Sequence, residues 1–257
     1  MSQLDAGQVT LHVADHIGTV TFGHPRGNSL PGKLLRTLAS TIEIAGRQDD
    51  VVVIQLRSLG SGPFCAGASF DELKAVETAQ QGQEFFSGFA QVILAMKRCP
   101  KFIVTRVHGK AAGGAVGLIA ASDYAIAHSS AAVRLSELAI GIGPFVVGPP
   151  IERKIGRAHY TAMSVDYDWR DSDWALRAGL YARVTETQEG LEEAIGALTQ
   201  RLAKAPPAAM AQLKRVFWEG TDHWDTLLAE RAAMSGSLVL SDHSRRAIAA
   251  FGLPASG

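Results

Sequence analysis

Between Gly109 and Ala127 the chain reads GKAAGGAVGLIAASDYAIA, and the order of elements around this stretch decides the fold. A β-rich run, KFIVTRVHG (residues 101–109), feeds into it; an apolar segment of helical length follows Gly113 and Gly114; and SDYAIAHS (residues 122–129) is β-rich again. Strand, glycine loop, helix and strand in that order make a right-handed βαβ unit in a mostly parallel sheet. Ligands of such a sheet bind at the loops leaving the C-terminal ends of the strands. The stretch offers almost no reactive side chain there, so any chemistry it performs runs through its backbone.

The same alternation extends outward in both directions. QVTLHVADHIGTVTF (residues 8–22) reads as a two-stranded hairpin turning near Asp15 and His16, and GNSLPGKLLRTLASTIEIAGRQ (residues 27–48) changes to helical spacing through Leu34, Leu35, Leu38 and Ile42. VVVIQLRS (residues 51–58), bounded by Gly60 and Gly62, is expected to be a buried parallel strand. A glycine-rich turn, a helix from about Phe70 and a long helix through QEFFSGFAQVILAMKR (residues 83–98) come next. From Pro206 the pattern is helical, in AAMAQLKRVFWEG (residues 208–220) and HWDTLLAERAAMSGSLVLSDHSRRAIAAF (residues 223–251). This tail has no strand of its own and is expected to pack on the core or on a neighbouring subunit.

Composition narrows the function classes. The chain has 257 residues, 47% of them hydrophobic, which suits one main α/β domain. Its 25 Lys and Arg balance 25 Asp and Glu, so no overall field favours nucleic acid or an anionic membrane. Cys65 and Cys99 make neither a disulfide framework nor a metal motif. No metal site is expected. The N-terminal segment lacks a basic stretch followed by an apolar one, and no apolar run is long enough to cross a bilayer. A cytoplasmic protein is expected.

Two strand-exit loops are physically alike. GSGPFCAGASFDEL (residues 60–73) leaves its strand through Ala66, Gly67 and Ala68, and Ser69 with Glu72 has the S-x-x-E spacing of a capping box. VHGKAAGGAVGLIAAS (residues 107–122) passes Gly113 and Gly114 into a helix. Both present backbone N–H groups with nothing bulky in front of them. Two such donors converging on one oxygen make an oxyanion hole. Close packing of a helix on a sheet calls for the same small residues.

FCAGASFDEL (residues 64–73), then PKFIVTRVHGKAAGGAVGLIAASDYAIA (residues 100–127), then VRLSELAIGIGP (residues 133–144) together resemble the crotonase, or enoyl-CoA hydratase/isomerase, superfamily. The likeness runs from HPRGNSL (residues 24–30) to SDHSRRAIAAF (residues 241–251). It implies an α/β spiral of repeated ββα units over residues 1–200 that binds acyl-CoA, and a C-terminal helical region, 201–257, for packing and oligomerisation as a homotrimer or dimer of trimers. The substrate so implied is an acyl-CoA thioester. Coenzyme A is then part of the substrate, and no separate cofactor is expected. Matched by position, the oxyanion donors are Ala68 and Gly114. Around them Ala66, Gly67, Ser69, Phe70, Gly113 and Gly117 are expected to contact substrate, Pro144 and Phe145 to wall the acyl group, and Arg26 to meet the phosphates, for which Lys33 and Lys74 are further candidates whose plainer reading is a solvated surface charge.

Family hydratases usually carry two glutamates. Here the later one matches Glu137, whereas Gly117 stands at the earlier position. Hydration uses both carboxylates to orient water and shuttle its proton. Moving a double bond from C3–C4 to C2–C3 needs one base, and SELAIGIGPFVVGPPIERKIG (residues 136–156) looks more like the single-glutamate isomerases. The resemblance therefore points first to a Δ3,Δ2-enoyl-CoA isomerase with Glu137 as base, with enoyl-CoA hydratase as the alternative and a non-catalytic acyl-CoA binder as a third reading. Without the family, Glu137 reads as an ion-pair partner of Arg134 or Arg153. Asp123 reads as a turn or cap, His108 as a structural hydrogen-bonding residue, and Asp71 and Glu72 as first-turn charges on the helix dipole. Ser69, where the family usually has Asp, removes a charge beside the first donor. The tail FGLPASG (residues 251–257) lacks the Lys-bearing end of many relatives. GIGPFVVG (residues 141–148) lacks the spacing of a dinucleotide loop.

Overall fold

The computed structural model describes residues 7–250. The FGLPASG tail lies outside them, as do the first six residues. The hairpin forms as expected: β1 (Gln8–Ala14) and β2 (Ile17–Gly23) pair antiparallel across Asp15 and His16, both at positive φ. α1 (Gly32–Arg47) buries Leu34, Leu35, Leu38 and Ile42, the stripe set by its spacing. β3 spans Val53–Ser58, two residues shorter than the apolar run, because Val51 turns back to Gln48 and Val52 donates to the His16 carbonyl.

The helix expected from about Phe70 and the long helix after it are both present, the first only as a short piece. α2 is a single short turn, Phe70–Lys74, and α3 runs from Ala79 to Arg98. Ser69 caps α2 by accepting from the Glu72 N–H at 3.4 Å, but Glu72 does not complete a capping box. Its carboxylate instead accepts from the Gly32 N–H at 2.7 Å, at the start of α1, and Asp71 pairs with Arg26. The complete capping box is at Thr78 and Gln81, where α3 starts.

β4 (Phe102–Val107), α4 (Gly114–Ala121) and β6 (Tyr124–His128) reproduce the strand–helix–strand unit, with the two-residue β5 (Ala111–Ala112) between β4 and α4. β7 (Val133–Arg134), a 3₁₀ turn at Leu138–Ile140, α5 (Gly148–Asp166), α6 (Ser172–Arg177), β8 (Arg183–Thr185) and α7 (Gln188–Leu202) follow. The main sheet has the order β1-β2-β3-β4-β6-β8 and is parallel after its first pair. Beside it a second layer of short pairings stacks up: Leu30 with Ala68, Cys65 with Ala111, β5 with β7, and Val133 with Arg170. Each turn of chain thus adds a long strand, a short strand and, in most turns, a helix, which is the ββα spiral.

The tail is helical, as α8 (Pro207–Phe217), α9 (Trp224–Leu238) and α10 (Asp242–Ala250). α9 lies along α3, where an added Cβ on Gly82 would stand 2.6 Å from the Gly236 Cα. α10 packs on α2 and the 3₁₀ turn, and Ile248 joins Leu73, Ile140 and Val239 in a small satellite core. Among the described residues no helix is long and apolar enough to cross a membrane.

Candidate active site

The two glycine-bearing loops meet. Cys65 and Ala111 form a β-bridge, with the Ala112 N–H donating to the Cys65 carbonyl at 3.1 Å and the Cys65 N–H to Lys110 at 3.3 Å. Gly67, at φ +91°, lets the first loop turn close over the second, for a Cβ there would stand 2.8 Å from the Ala112 carbonyl oxygen and 3.8 Å from the Gly114 nitrogen. The buried Cys65 sulfur accepts from the Gly67 N–H at 3.4 Å, and burial pushes its thiol up to about 12, so it supports the loop as a neutral thiol. Ala66 and Gly113 spend their N–H groups on Gly27 and Arg134 carbonyls. Ala68 and Gly114, the latter first in α4, have no acceptor for theirs among the described residues.

These donors open into a cavity of about 70 Å³, lined also by Ala66, Gly67, Gly113, Phe70, Pro144 and Phe145. Glu137 enters it from the residue before the 3₁₀ turn. Its Oε1 lies 3.2 Å from the place a Gly113 Cβ would occupy, next to the second donor. Its Oε2 is buried with no hydrogen-bond partner. The ion-pair reading fails: Arg134 donates to the Tyr167 carbonyl at 2.7 Å and Arg153 to the carbonyls of Phe217 and Glu219. Burial raises the Glu137 carboxyl to about 7, against smaller opposing effects of the Glu137 and Ser136 N–H groups and the Arg134 charge. A carboxylate so placed exchanges protons near neutral pH.

Three residues expected to contact substrate do not line this cavity. Gly117 does not line the cavity: α4 turns it toward Val147, whose Cγ1 is 2.6 Å from where a Cβ would be, and Val147 is the residue that reaches the cavity wall. Ser69 is buried as the α2 cap. Arg26 is held at the surface by Asp71. His108, expected to hydrogen bond, is 3% exposed with neither ring nitrogen partnered, and burial lowers it to about 4.

Several wall residues were not anticipated. Phe85, Phe86 and Phe89 come from one face of α3, and the aromatic spacing in FFSGF is a signal that would have found them. Ser235 arrives from α9 in the distant tail, and nothing local in the sequence marks it. Among the described residues no group of His, Cys, Asp and Glu is arranged to hold a metal ion.

The geometry is a pair of free backbone donors facing one carboxylate, and the family model described as enoyl-CoA hydratase/isomerase matches residues 13–252. The chain belongs to this family. The short-chain-enoyl-CoA hydratase of Clostridium acetobutylicum is 25% identical over 251 residues, 96% of this chain and 95% of that protein. A mitochondrial methylglutaconyl-CoA hydratase of Rattus norvegicus is 32% identical over 178 residues, 67% of this chain and 56% of that protein. The crystal structure of an enoyl-CoA hydratase from Bacillus halodurans superposes with a TM-score of 0.87 at 20% identity, covering 94% of this chain and 99% of that one. That last likeness fixes the fold. Membership of the enoyl-CoA hydratase/isomerase family fits an acyl-CoA class of substrate.

Proposed function

We propose that this protein is a Δ3,Δ2-enoyl-CoA isomerase in which Glu137 is the single acid–base group. The observation that carries the reading is that, among the described residues, Glu137 is the only carboxylate lining the cavity, while the position of the other family glutamate holds Gly117 packed on Val147. In this scheme the thioester oxygen sits between the N–H groups of Ala68 and Gly114. Glu137 takes the proton from C2, and the electron pair passes through C1 onto that oxygen, giving a dienolate held by the two donors. The resulting carboxylic acid returns the proton to C4, the double bond settles at C2–C3, and Glu137 is a carboxylate again. No cofactor beyond the coenzyme A of the substrate enters the scheme. The family reading also implies a homotrimer or dimer of trimers.

Hydration is the second reading, favoured by the names of the relatives at about one-quarter identity. It requires a water at C3 oriented from a wall that here presents Val147. The test is the rise in ultraviolet absorbance as trans-3-hexenoyl-CoA becomes the conjugated isomer. Glu137→Gln is expected to lower kcat by about 10²–10⁴-fold while binding of a saturated acyl-CoA persists. An unchanged rate in Glu137→Gln would remove Glu137 from the mechanism.

A further inference from the structure

Among the described residues, the polar side chains lining the cavity apart from Glu137 are the hydroxyls of Ser136 and Ser235, with no Lys, Arg or His. The Ser235 hydroxyl already donates to the Arg231 carbonyl at 3.3 Å. The rest of the wall is backbone of the donor loops, aliphatic side chains and aromatic rings. Two of the rings confine it closely. The Phe89 ring presses on Gly114, 2.3 Å from where a Cβ would stand, and so lies against the second donor itself. The Phe145 ring folds over Gly143 at 2.4 Å from its would-be Cβ. Phe85 and Phe86 meet edge to face at 5.0 Å on the α3 side. Leu73, Ile140 and Ile142, which belong to the satellite core with Ile248, complete the apolar wall.

The volume left is only about 70 Å³. That holds an acyl chain of only a few carbons. A second carboxylate on the acyl tail would meet no cation and would be buried beside Glu137, and an unpaired buried charge is strongly disfavoured.

We propose that the acyl group this site takes is short and uncharged, with Phe89 and Phe145 as the residues that set its length. The proposal rests on the acyl-CoA reading of the site, but not on the direction of the reaction.

The experiment is isothermal titration of the full-length protein with three acyl-CoAs that cannot isomerise: butanoyl-CoA, decanoyl-CoA and glutaryl-CoA. Apolar contact alone makes the longest chain bind best, so a size limit inverts the natural order. The expected result is that butanoyl-CoA binds at least about tenfold more tightly than either of the others. Phe89→Leu and Phe145→Ala should then recover decanoyl-CoA binding toward that of butanoyl-CoA, without rescuing glutaryl-CoA. Decanoyl-CoA binding as tightly as butanoyl-CoA to the unmodified protein would overturn the length limit, and equal binding of glutaryl-CoA would overturn the exclusion of charge. Because the unmodified protein is ranked directly, a variant that fails to fold leaves the result intact. Tight butanoyl-CoA binding without turnover of trans-3-hexenoyl-CoA would sink the isomerase reading and keep the size limit; absence of binding by all three would sink the acyl-CoA reading itself.

Discussion

Glu137 is a carboxyl group whose surroundings, more than its identity, set what it does. Burial raises it from its ordinary 4.5 to about 7, so the basic form that takes a proton from C2 is the minor one below neutral pH. The free-enzyme rate, kcat/KM, is expected to fall about tenfold per pH unit below about 7 and to level off above it. The stability effect has the opposite sense. A group whose folded value is raised stabilises fully below its unfolded value, and that stability is lost as pH rises from 4.5 toward 7. Comparing the denaturant midpoints of the unmodified protein and Glu137→Gln across this window checks it: the gap should move in favour of the Gln variant as pH rises. A flat gap together with a rate limb near 4.5 would mean that Glu137 is solvated. The sequence marked Glu137 only through its resemblance to a family segment. Its desolvation was not legible, because the walls that exclude water come from α3, α9 and the loop around Pro144, far apart along the chain.

At the scale of elements, long periodic segments could be read and short ones could not. α1 and β2 through β4 follow directly from apolar spacing, because many residues vote for one period. β5 and β7 have two residues each and carry no period at all, yet their pairing sets the second donor loop beside the segment that leads to Glu137. The Ser69–Glu72 spacing predicted a reciprocal cap, but Glu72 is drawn off to the free N–H at the start of α1 by a tertiary contact that local pattern does not contain. The α4 element shows most sharply what the structure adds. Read from sequence, Gly117 is a missing glutamate facing substrate; in the structure it is a packing position filled by Val147. Gly117→Glu is therefore expected to destabilise the protein by at least about 1–3 kcal/mol from overpacking and to confer no hydration activity. Thermal unfolding and a trans-2-enoyl-CoA assay check both halves, and a stable variant that gains hydratase turnover would show that the position does reach the substrate.

Across the whole molecule, the C-terminal region is tied to the sheet by groups the sequence does not advertise as partners. Lys214 on α8 and Asp123 at the end of α4 form a buried ion pair at 2.8 Å, and Asp123 also accepts from the Ile103 N–H at 2.7 Å while Lys214 reaches the Lys101 carbonyl at 2.8 Å. A Lys in an amphipathic helix reads as a surface charge, and only the folded chain shows it buried between the Lys101 carbonyl and the Asp123 carboxylate. Asp123 is thus a structural residue, as its position between a helix and a strand suggested. α9 closes on α3, supplying Ser235 to the cavity, and the Ser244 hydroxyl of α10 donates to the Gly141 carbonyl at 3.2 Å, at the end of the turn that begins with Glu137. The tail was legible as helix and as packing material. Its part in closing the site was not, because that depends on contacts across more than a hundred residues of chain.

The central claim is that one carboxylate moves a proton in a cavity that, among the described residues, has no second carboxylate to orient a reacting water. It is tested most directly by giving the enzyme trans-3-hexenoyl-CoA in water labelled with heavy oxygen and identifying the products by mass spectrometry. The account predicts trans-2-hexenoyl-CoA with no label. Labelled 3-hydroxyhexanoyl-CoA, formed as fast as the double bond moves, would contradict it.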